Sequence, residues 1–314
     1  MALFGVKSRG SDWLATAIHA DRLDLAQVER RGVGQPALRL CHSYAKQGGD
    51  VETLKAVARD IRADRFRCSS LLEANDYRMH LVEAPAVPRS ELKSAVRWKL
   101  KDVLDYPVDA ATVDIAEVPV NGSGSARSQY VFAVCAPNER IAARMQLFRD
   151  AKLPLQAIDV PEMAQRNIAQ LFEETGRGLA LLAFDDHGGM LTITAGGDLY
   201  MARRTDLTAE QLIAISGDPR EQTLERLVLE LQRTLDHFDR QHSYITISCL
   251  LLAPRPGDIG LEQQLAENLD LPVRTLDLGE VLDLTDTPEL REVGAQGDRL
   301  HIIGAALRDE RAAA

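Results

Sequence analysis

Acidic residues and glycines meet in one short segment, Asp185-Asp186-His187-Gly188-Gly189, which interrupts a run of apolar residues. Neighbouring carboxylates can bind Mg²⁺, and glycine-bearing turns present backbone N–H groups that hold phosphate. Adjacent aspartates at a hairpin tip more often only solvate the turn. The segment is therefore the first candidate for chemistry, and both readings stay open at this point.

Other signatures of catalysis are missing from the chain. It contains no GxSxG elbow, no phosphate-binding P-loop and no HExxH pair. The seven histidines lack metal-ligand spacing, because the nearest pair, His237 and His242, is separated by a predicted helix end. The four cysteines are far apart and lie in or beside apolar runs, as reduced buried thiols do. We expect no metal site.

A helix predicted from Arg89 to Leu104 carries a second candidate surface. Its narrow apolar stripe at helical spacing consists of Leu92, Val96, Leu100 and Val103. Trp98 falls nearly opposite this stripe, beside Arg97 and Lys101. Either Trp98 packs beneath a neighbouring strand and donates its indole N–H to a carbonyl, or these three residues form part of a partner-binding surface. The ground for the second reading is that Trp and Arg are enriched in interface hot spots, and both readings stay open at this point.

Two sets of strands and helices must position these candidates. The first set consists of strands at Trp13–His19, Leu23–Val28 and Pro36–His42, then a helix at Val51–Ala63. The second set consists of strands at Leu179–Phe184, Met190–Thr194 and Leu199–Arg203, a long helix at about Arg220–Asp239, and a strand at Tyr244–Leu252. Each half thus begins with an antiparallel meander and continues with helices and further strands, which indicates a duplicated α/β fold.

Length and charge limit the possible partners. The chain has 314 residues, enough for two domains, and a formal net charge of −10. Such an acidic protein repels phosphate backbones, so we expect no nucleic-acid partner. Residues Met1–Gly10 have no apolar core typical of a signal peptide, and no apolar run approaches the roughly 20 residues that cross a bilayer. We expect a cytoplasmic protein.

The most distinctive segment runs from Asp76 to Asp114 and reads DYRMHLVEAPAVPRSELKSAVRWKLKDVLDYPVDAATVD. It resembles the MshI proteins of MSHA-type pilus systems, which are relatives of PilM in type IV pilus assembly and of the cytoplasmic part of the type II secretion protein GspL. The second half agrees with this family in the order of its elements. The resemblance implies a duplicated actin-like ATPase (ribonuclease H-like) fold with an inserted small subdomain.

The resemblance also implies a domain organisation and a role. Residues 1–175 would form the first actin-like half, with the inserted subdomain at about 50–140. Residues 176–314 would form the second half, with a helical insertion at about 205–242. Family members are cytoplasmic platforms that bind the cytoplasmic tail of a PilN-like inner-membrane protein and link it to the pilus assembly motor ATPase. The tail would lie in a groove beside the small subdomain, near Arg97, Trp98 and Lys101, and the membrane would be reached only through this partner.

A nucleotide site of this superfamily would need two glycine-bearing turns with acidic residues and a Gly-Gly turn at the adenosine. We assign the first turn to Gly5–Gly10, where Lys7 replaces the acid; lysine binds phosphate but not Mg²⁺. The second turn holds Asp185, Gly188 and Gly189, but it is about two residues shorter than the PilM pattern, which predicts a simple hairpin. The third turn reads Ala253-Pro254-Arg255-Pro256, and its prolines remove N–H donors.

These three departures predict a degenerate nucleotide site at Lys7, Asp185, Gly188 and Gly189, and therefore a scaffold without a cofactor. The alternative is a nucleotide-binding ATPase of the same superfamily that regulates pilus or secretion machinery and uses ATP and Mg²⁺. Weak nucleotide binding without turnover is compatible with the scaffold.

Overall fold

The computed structural model describes residues 12–31, 34–120, 130–185, 187–208, 211, 218–255 and 260–309. Lys7, Asp186 and Pro256 lie outside them. In its first part the elements are β1 (Trp13–Ile18), β2 (Arg22–Glu29), β3 (Ala37–Ala45), α1 (Asp50–Asp60), β4 (Arg67–Leu71), β5 (Arg78–Glu83), α2 (Arg89–Lys99), β6 (Ala111–Glu117), β7 (Tyr130–Pro137), α3 (Asn138–Asp150), β8 (Leu155–Asp159) and α4 (Pro161–Phe172). In its second part they are β9 (Gly178–Asp185), β10 (Gly188–Ala195), β11 (Asp198–Thr205), α5 (Asp218–Gln241), β12 (Ile247–Leu252), α6 (Leu261–Asn268), β13 (Val273–Thr275) and α7 (Leu300–Ala306).

Two five-stranded sheets share one topology, with the orders β3-β2-β1-β4-β8 and β11-β10-β9-β12-β13. In each sheet the first three strands form an antiparallel meander, and two parallel strands follow on the other side of the first strand. The central strands β1 and β9 are buried almost throughout, because both faces of their sheets are covered. The predicted duplication is therefore confirmed.

The helices α4 and α7 fill the space between the two sheets. The largest apolar cluster joins these helices to inner-face side chains of both sheets, such as Ala15 and Leu181. The helices cross at backbone distance, since a Cβ placed on Gly304 would lie 2.2 Å from the carbonyl oxygen of Ala164. Asn167 Nδ2 donates to the Gly304 carbonyl at 2.9 Å. This tight helix pair thus joins the two halves.

A third, antiparallel sheet with the order β5-β7-β6 forms the small subdomain. Helix α2 and the 3-10 turn after it cover this sheet by packing Leu92, Val96 and Leu100 against strand residues, as the predicted apolar stripe requires. Val103 does not extend this stripe: it is 52% exposed, because the helix ends at Lys99 and a 3-10 turn changes the periodicity. The predicted start of the subdomain near residue 50 is too early, since α1 belongs with the first half and β4 pairs with β1.

The predicted helical insertion at about 205–242 contains α5, which forms a layer of the second half. Its buried stripe packs on β9, β10 and β12 through Leu224, Leu227, Leu231 and Phe238. All four cysteines are free thiols, and three of them are buried. Among the helices of the described residues, none has both the length and the apolarity needed to cross a membrane.

The close crossing of α4 and α7 makes Gly304 a sensitive position. We expect Gly304→Ala to lower the free energy of unfolding by about 1–3 kcal/mol, because its methyl group would push against backbone atoms. This expected net loss already includes the helix-propensity gain of about 1 kcal/mol that alanine brings. Urea denaturation followed by circular dichroism measures the change. Gly48→Ala is the control, since its Cβ would meet nothing closer than 3.9 Å; equal stability of the two variants would contradict the prediction.

Candidate functional site

A cavity of about 360 Å³ lies in the cleft between the two halves. The β1–β2 and β9–β10 hairpins, the residues after β4 and β12, and the start of α7 form its walls. Many of its lining residues are ionisable, among them His19, Arg22, Asp24, Glu73, Asp185, His187, Arg255, Asp298, Arg299 and His301. The family resemblance places the nucleotide at this cleft, so each of its three turns has to be compared with the sequence-based assignment.

The first hairpin turn is made by His19, Ala20 and Asp21, between β1 and β2. The assignment of this turn to Gly5–Gly10 is therefore wrong, because that segment precedes β1. In this glycine-free turn the Lys46 ammonium donates to the His19 carbonyl. The tip lacks the glycine on which the sequence-based assignment relied.

The charged side chains beside this turn form one cluster around Asp24. His19 Nε2 lies 3.0 Å from Asp24 Oδ2, and its Nδ1 lies 3.2 Å from Glu73 Oε1. Arg299 Nη1 lies 2.9 Å from Asp24 Oδ1, which also accepts a hydrogen bond from the Ser43 hydroxyl. Burial would raise the pKa of Asp24, but the hydrogen bonds from His19 and Ser43 and the charge of Arg299 outweigh it, so that this pKa falls well below its usual range.

The second turn is a two-residue hairpin, because Asp185 pairs with Gly188 in the β9–β10 ladder. The predicted simple hairpin is confirmed. Asp185 Oδ1 accepts from the His187 backbone N–H at 2.7 Å. A Cβ on Gly188 would lie 2.1 Å from the Thr205 carbonyl oxygen, and one on Gly189 would lie 2.6 Å from Thr205 Cγ2. Both glycines thus have a packing role, since they let β10 lie against β11.

The third turn follows β12 and directs a cation into the cleft. The Arg255 guanidinium donates to the Phe184 carbonyl, and its Nη2 lies 3.4 Å from Asp298 Oδ1. The carbonyl of Pro254 packs on Gly297, where a Cβ would come within 1.7 Å of its oxygen. The sequence analysis considered only the N–H donors that the prolines of this turn remove, and it did not identify Arg255 as a residue of the cleft.

The base of the cleft is closed by a buried polar network. Gln165 Nε2 donates to the Leu181 carbonyl at 2.6 Å and to Thr192 Oγ1 at 2.9 Å, while Gln165 Oε1 lies 3.1 Å from His301 Nε2. Burial lowers the pKa of His301, which favours its neutral form. Nowhere in the described part of the chain do three or more His, Cys, Asp or Glu side chains form a group suited to a metal ion.

The outer face of α2 is the second candidate site. Trp98 is 70% exposed, so the reading in which it packs beneath a strand is wrong. Arg97 Nη2 donates to the Val108 carbonyl at 2.9 Å and lies 3.8 Å from Asp109 Oδ1, which fixes its direction. Lys101 is exposed on the turn after the helix. We name Arg97, Trp98 and Lys101 the α2 surface; it presents a large aromatic side chain together with two cations.

The architecture is similar to that of a solved structure. A chain of the PilM–PilN type IV pilus biogenesis complex superposes with a TM-score of 0.70 at 20% identity, over 95% of this chain and 99% of that one. The cytoplasmic domain of EpsL, an inner-membrane component of the type II secretion system of Vibrio cholerae, gives a TM-score of 0.41 at 14% identity, over 62% and 71%. No family model matches the sequence, and the search of curated proteins finds no match. The chain has the predicted actin-like ATPase fold.

The cluster around Asp24 yields a stability prediction. We expect Asp24→Asn to lower the free energy of unfolding near neutral pH by about 3 kcal/mol, because it leaves Arg299 without its buried partner. The lowered pKa means that ionised Asp24 stabilises the fold fully above its ordinary value of 3.8, and progressively less as the pH falls below it. Chemical denaturation across this range should therefore show the difference from wild type shrinking in acid.

The matched control for this prediction is Asp21→Asn at the exposed tip of the same hairpin. Its ion pair with Arg22 is exposed and spans 3.4 Å, so its loss should change stability by less than about 1 kcal/mol. A wild-type-like Asp24→Asn, or a difference that grows in acid, would show that the cluster does not stabilise the fold.

Proposed function

We propose that this protein is a cytoplasmic actin-like scaffold of an MSHA-type type IV pilus assembly, which binds the cytoplasmic tail of a PilN-like inner-membrane protein. The observation that carries the proposal is the likeness to a chain of the PilM–PilN complex over nearly the whole of both chains. The resemblance of Asp76–Asp114 to the MshI proteins supports the MSHA-type assignment. Contact with the membrane then comes through the partner, and the pilus assembly motor ATPase is a second partner in the same proposal.

The α2 surface is the proposed place of contact with the tail. Trp98 is one of only two tryptophans in the protein. Exposing its apolar indole ring to water costs free energy, and burying the ring against a partner would recover that free energy. Leu92 and Val96 anchor the opposite face of the helix in the small sheet, so the exposed face is presented on a rigid support. Tryptophan and arginine side chains are the types that contribute most at interface centres.

We further propose that the cleft does not hydrolyse ATP. Three observations support this: the first turn has no glycine, the glycines of the second turn serve strand packing, and Arg255 occupies the third turn. Asp185 uses one carboxylate oxygen to accept from its own turn. A Mg²⁺–triphosphate complex would have to displace Arg255 from the Phe184 carbonyl and Asp298, and it would gain few backbone N–H donors in return.

Binding of the tail tests the scaffold directly. A labelled peptide with the cytoplasmic N-terminal sequence of the PilN-like protein from the same organism should bind in fluorescence anisotropy. Trp98→Ala should raise the dissociation constant about 30-fold, because removing a hot-spot aromatic side chain costs about 2 kcal/mol of binding free energy. Tyr244→Ala, which removes a 43% exposed aromatic from another part of the chain, should bind normally. No binding by the wild-type protein would reject the adaptor mechanism.

Calorimetry with ATP and Mg²⁺ tests the degenerate site. We expect no binding tighter than about 1 mM and no release of phosphate, because the cleft lacks an arranged set of metal ligands among its described residues. Micromolar binding with turnover that Asp185→Ala abolishes would establish the ATPase alternative instead.

A further inference from the structure

A basic groove runs along the outer side of the second half, between the edge strand β11 and helix α5. Its volume is about 500 Å³, and its lining shares no residue with the cleft or with the α2 surface. The floor is apolar and consists of Leu182, Leu191, Leu227 and Leu231. The rim is cationic, although the whole protein carries a net charge of −10. We call this feature the arginine groove.

Helical spacing places the cations of α5 in one row. Arg226, Arg233 and Arg240 recur at intervals of seven residues, so they lie on the same side of the helix, and His237 stands between the last two. At 1.5 Å per residue the row is about 21 Å long. Strand β11 adds Arg203 from the opposite wall. An elongated row of this kind suits an extended ligand better than a compact ion.

Only some of these guanidinium groups are neutralised within the protein. Arg226 Nε lies 3.0 Å from Glu230 Oε1, and Arg204, which also lines the groove, pairs with the buried Glu162 at 3.0 Å. Arg203, Arg233 and Arg240 are exposed and make no ion pair with any described residue. Like charges placed along one groove repel one another at low salt, and an anionic ligand would relieve that repulsion.

We propose that the arginine groove binds an acidic segment of a partner polypeptide. Free guanidinium groups bind carboxylates through paired hydrogen bonds, and the leucine floor can take the apolar side chains between the acidic ones. Two carboxylates, Asp206 and Glu230, also line the groove. They would repel the unbroken charge of a nucleic-acid backbone, whereas a peptide can place neutral residues beside them. A concave groove with a buried floor is also less suited to the plane of an anionic membrane.

Fluorescence anisotropy at low salt tests this site. The probe is a labelled peptide of roughly 12 residues that repeats Glu-Leu-Glu-Ala, long enough to follow the row at about 3.3 Å per residue. The full-length wild-type protein should bind it, and should bind the Gln-Leu-Gln-Ala peptide at least about tenfold more weakly. The double variant Arg233→Glu/Arg240→Glu should weaken binding of the acidic peptide by about tenfold or more.

The matched control is Lys55→Glu/Arg59→Glu, which makes the same change in net charge on exposed positions of α1 in the other half. It should bind as the wild type does, and circular dichroism should show that both double variants are folded. The inference fails if the wild type does not bind the acidic peptide, or if both double variants lose binding equally. It also fails if a dT oligonucleotide of similar length, or vesicles containing phosphatidylglycerol, bind more tightly than the peptide with the same dependence on Arg233 and Arg240.

This site is independent of the proposed tail-binding function, and the two experiments separate them. The Arg233/Arg240 variant should still bind the PilN-like tail, and Trp98→Ala should still bind the acidic peptide. Loss of acidic-peptide binding alone would reject only the arginine groove.

Discussion

The close crossing of α4 and α7 is the constraint on which the rest of the structure depends. Each five-stranded sheet has an inner face that must be buried, and both faces are buried on the same two helices. The crossing is possible because Gly304 has no side chain, so that α7 reaches the backbone of α4 at Ala164. Buried polar groups then fix its register, since Asn167 binds the Gly304 carbonyl. Two sheets and one helix pair form a single core.

The same crossing places the chemistry of the cleft. Because α7 is docked between the sheets, the residues just before it lie at the mouth of the cleft. Arg299 reaches Asp24 on the first half, while Gly297 packs on Pro254 of the second. The charges of the cleft are therefore used to join the halves. The hydrogen bonds from His19 and Ser43, together with the charge of Arg299, lower the pKa of Asp24 and keep it ionised.

Local patterns were sufficient to predict much of the fold. The stripe from Leu224 to Phe238 identified the long helix, and the turn signals of the second half identified its meander, since both depend on neighbours in sequence. The start of the small subdomain was misplaced because β1 and β4 pair in parallel across about 50 residues, which periodicity does not encode. The first turn was misplaced because His19–Asp21 contains no glycine.

The sites were harder to predict, because their contacts are distant in sequence. Arg299 and Asp24 are separated by 275 positions, so no spacing rule links them. Arg255 looked like part of a proline-rich turn, and only the fold shows that its guanidinium faces the second hairpin. The sequence left the exposure of Trp98 as one of two readings. Trp98 is exposed because the small sheet packs on the opposite face of its helix, a contact that the sequence of the helix does not determine.

The cleft differs from the α2 surface and the arginine groove in how many of its polar side chains already have partners within the protein. In the cleft, Asp24 and Arg299 are bound to each other, and Arg255 is bound to a carbonyl and a carboxylate. Outside it, an indole and a row of guanidinium groups remain in contact with water. Groups that are already paired gain little from a ligand, whereas unpaired ones gain the full interaction. Binding on the outer faces is therefore the arrangement that we propose, while the paired charges of the cleft help to hold the fold together.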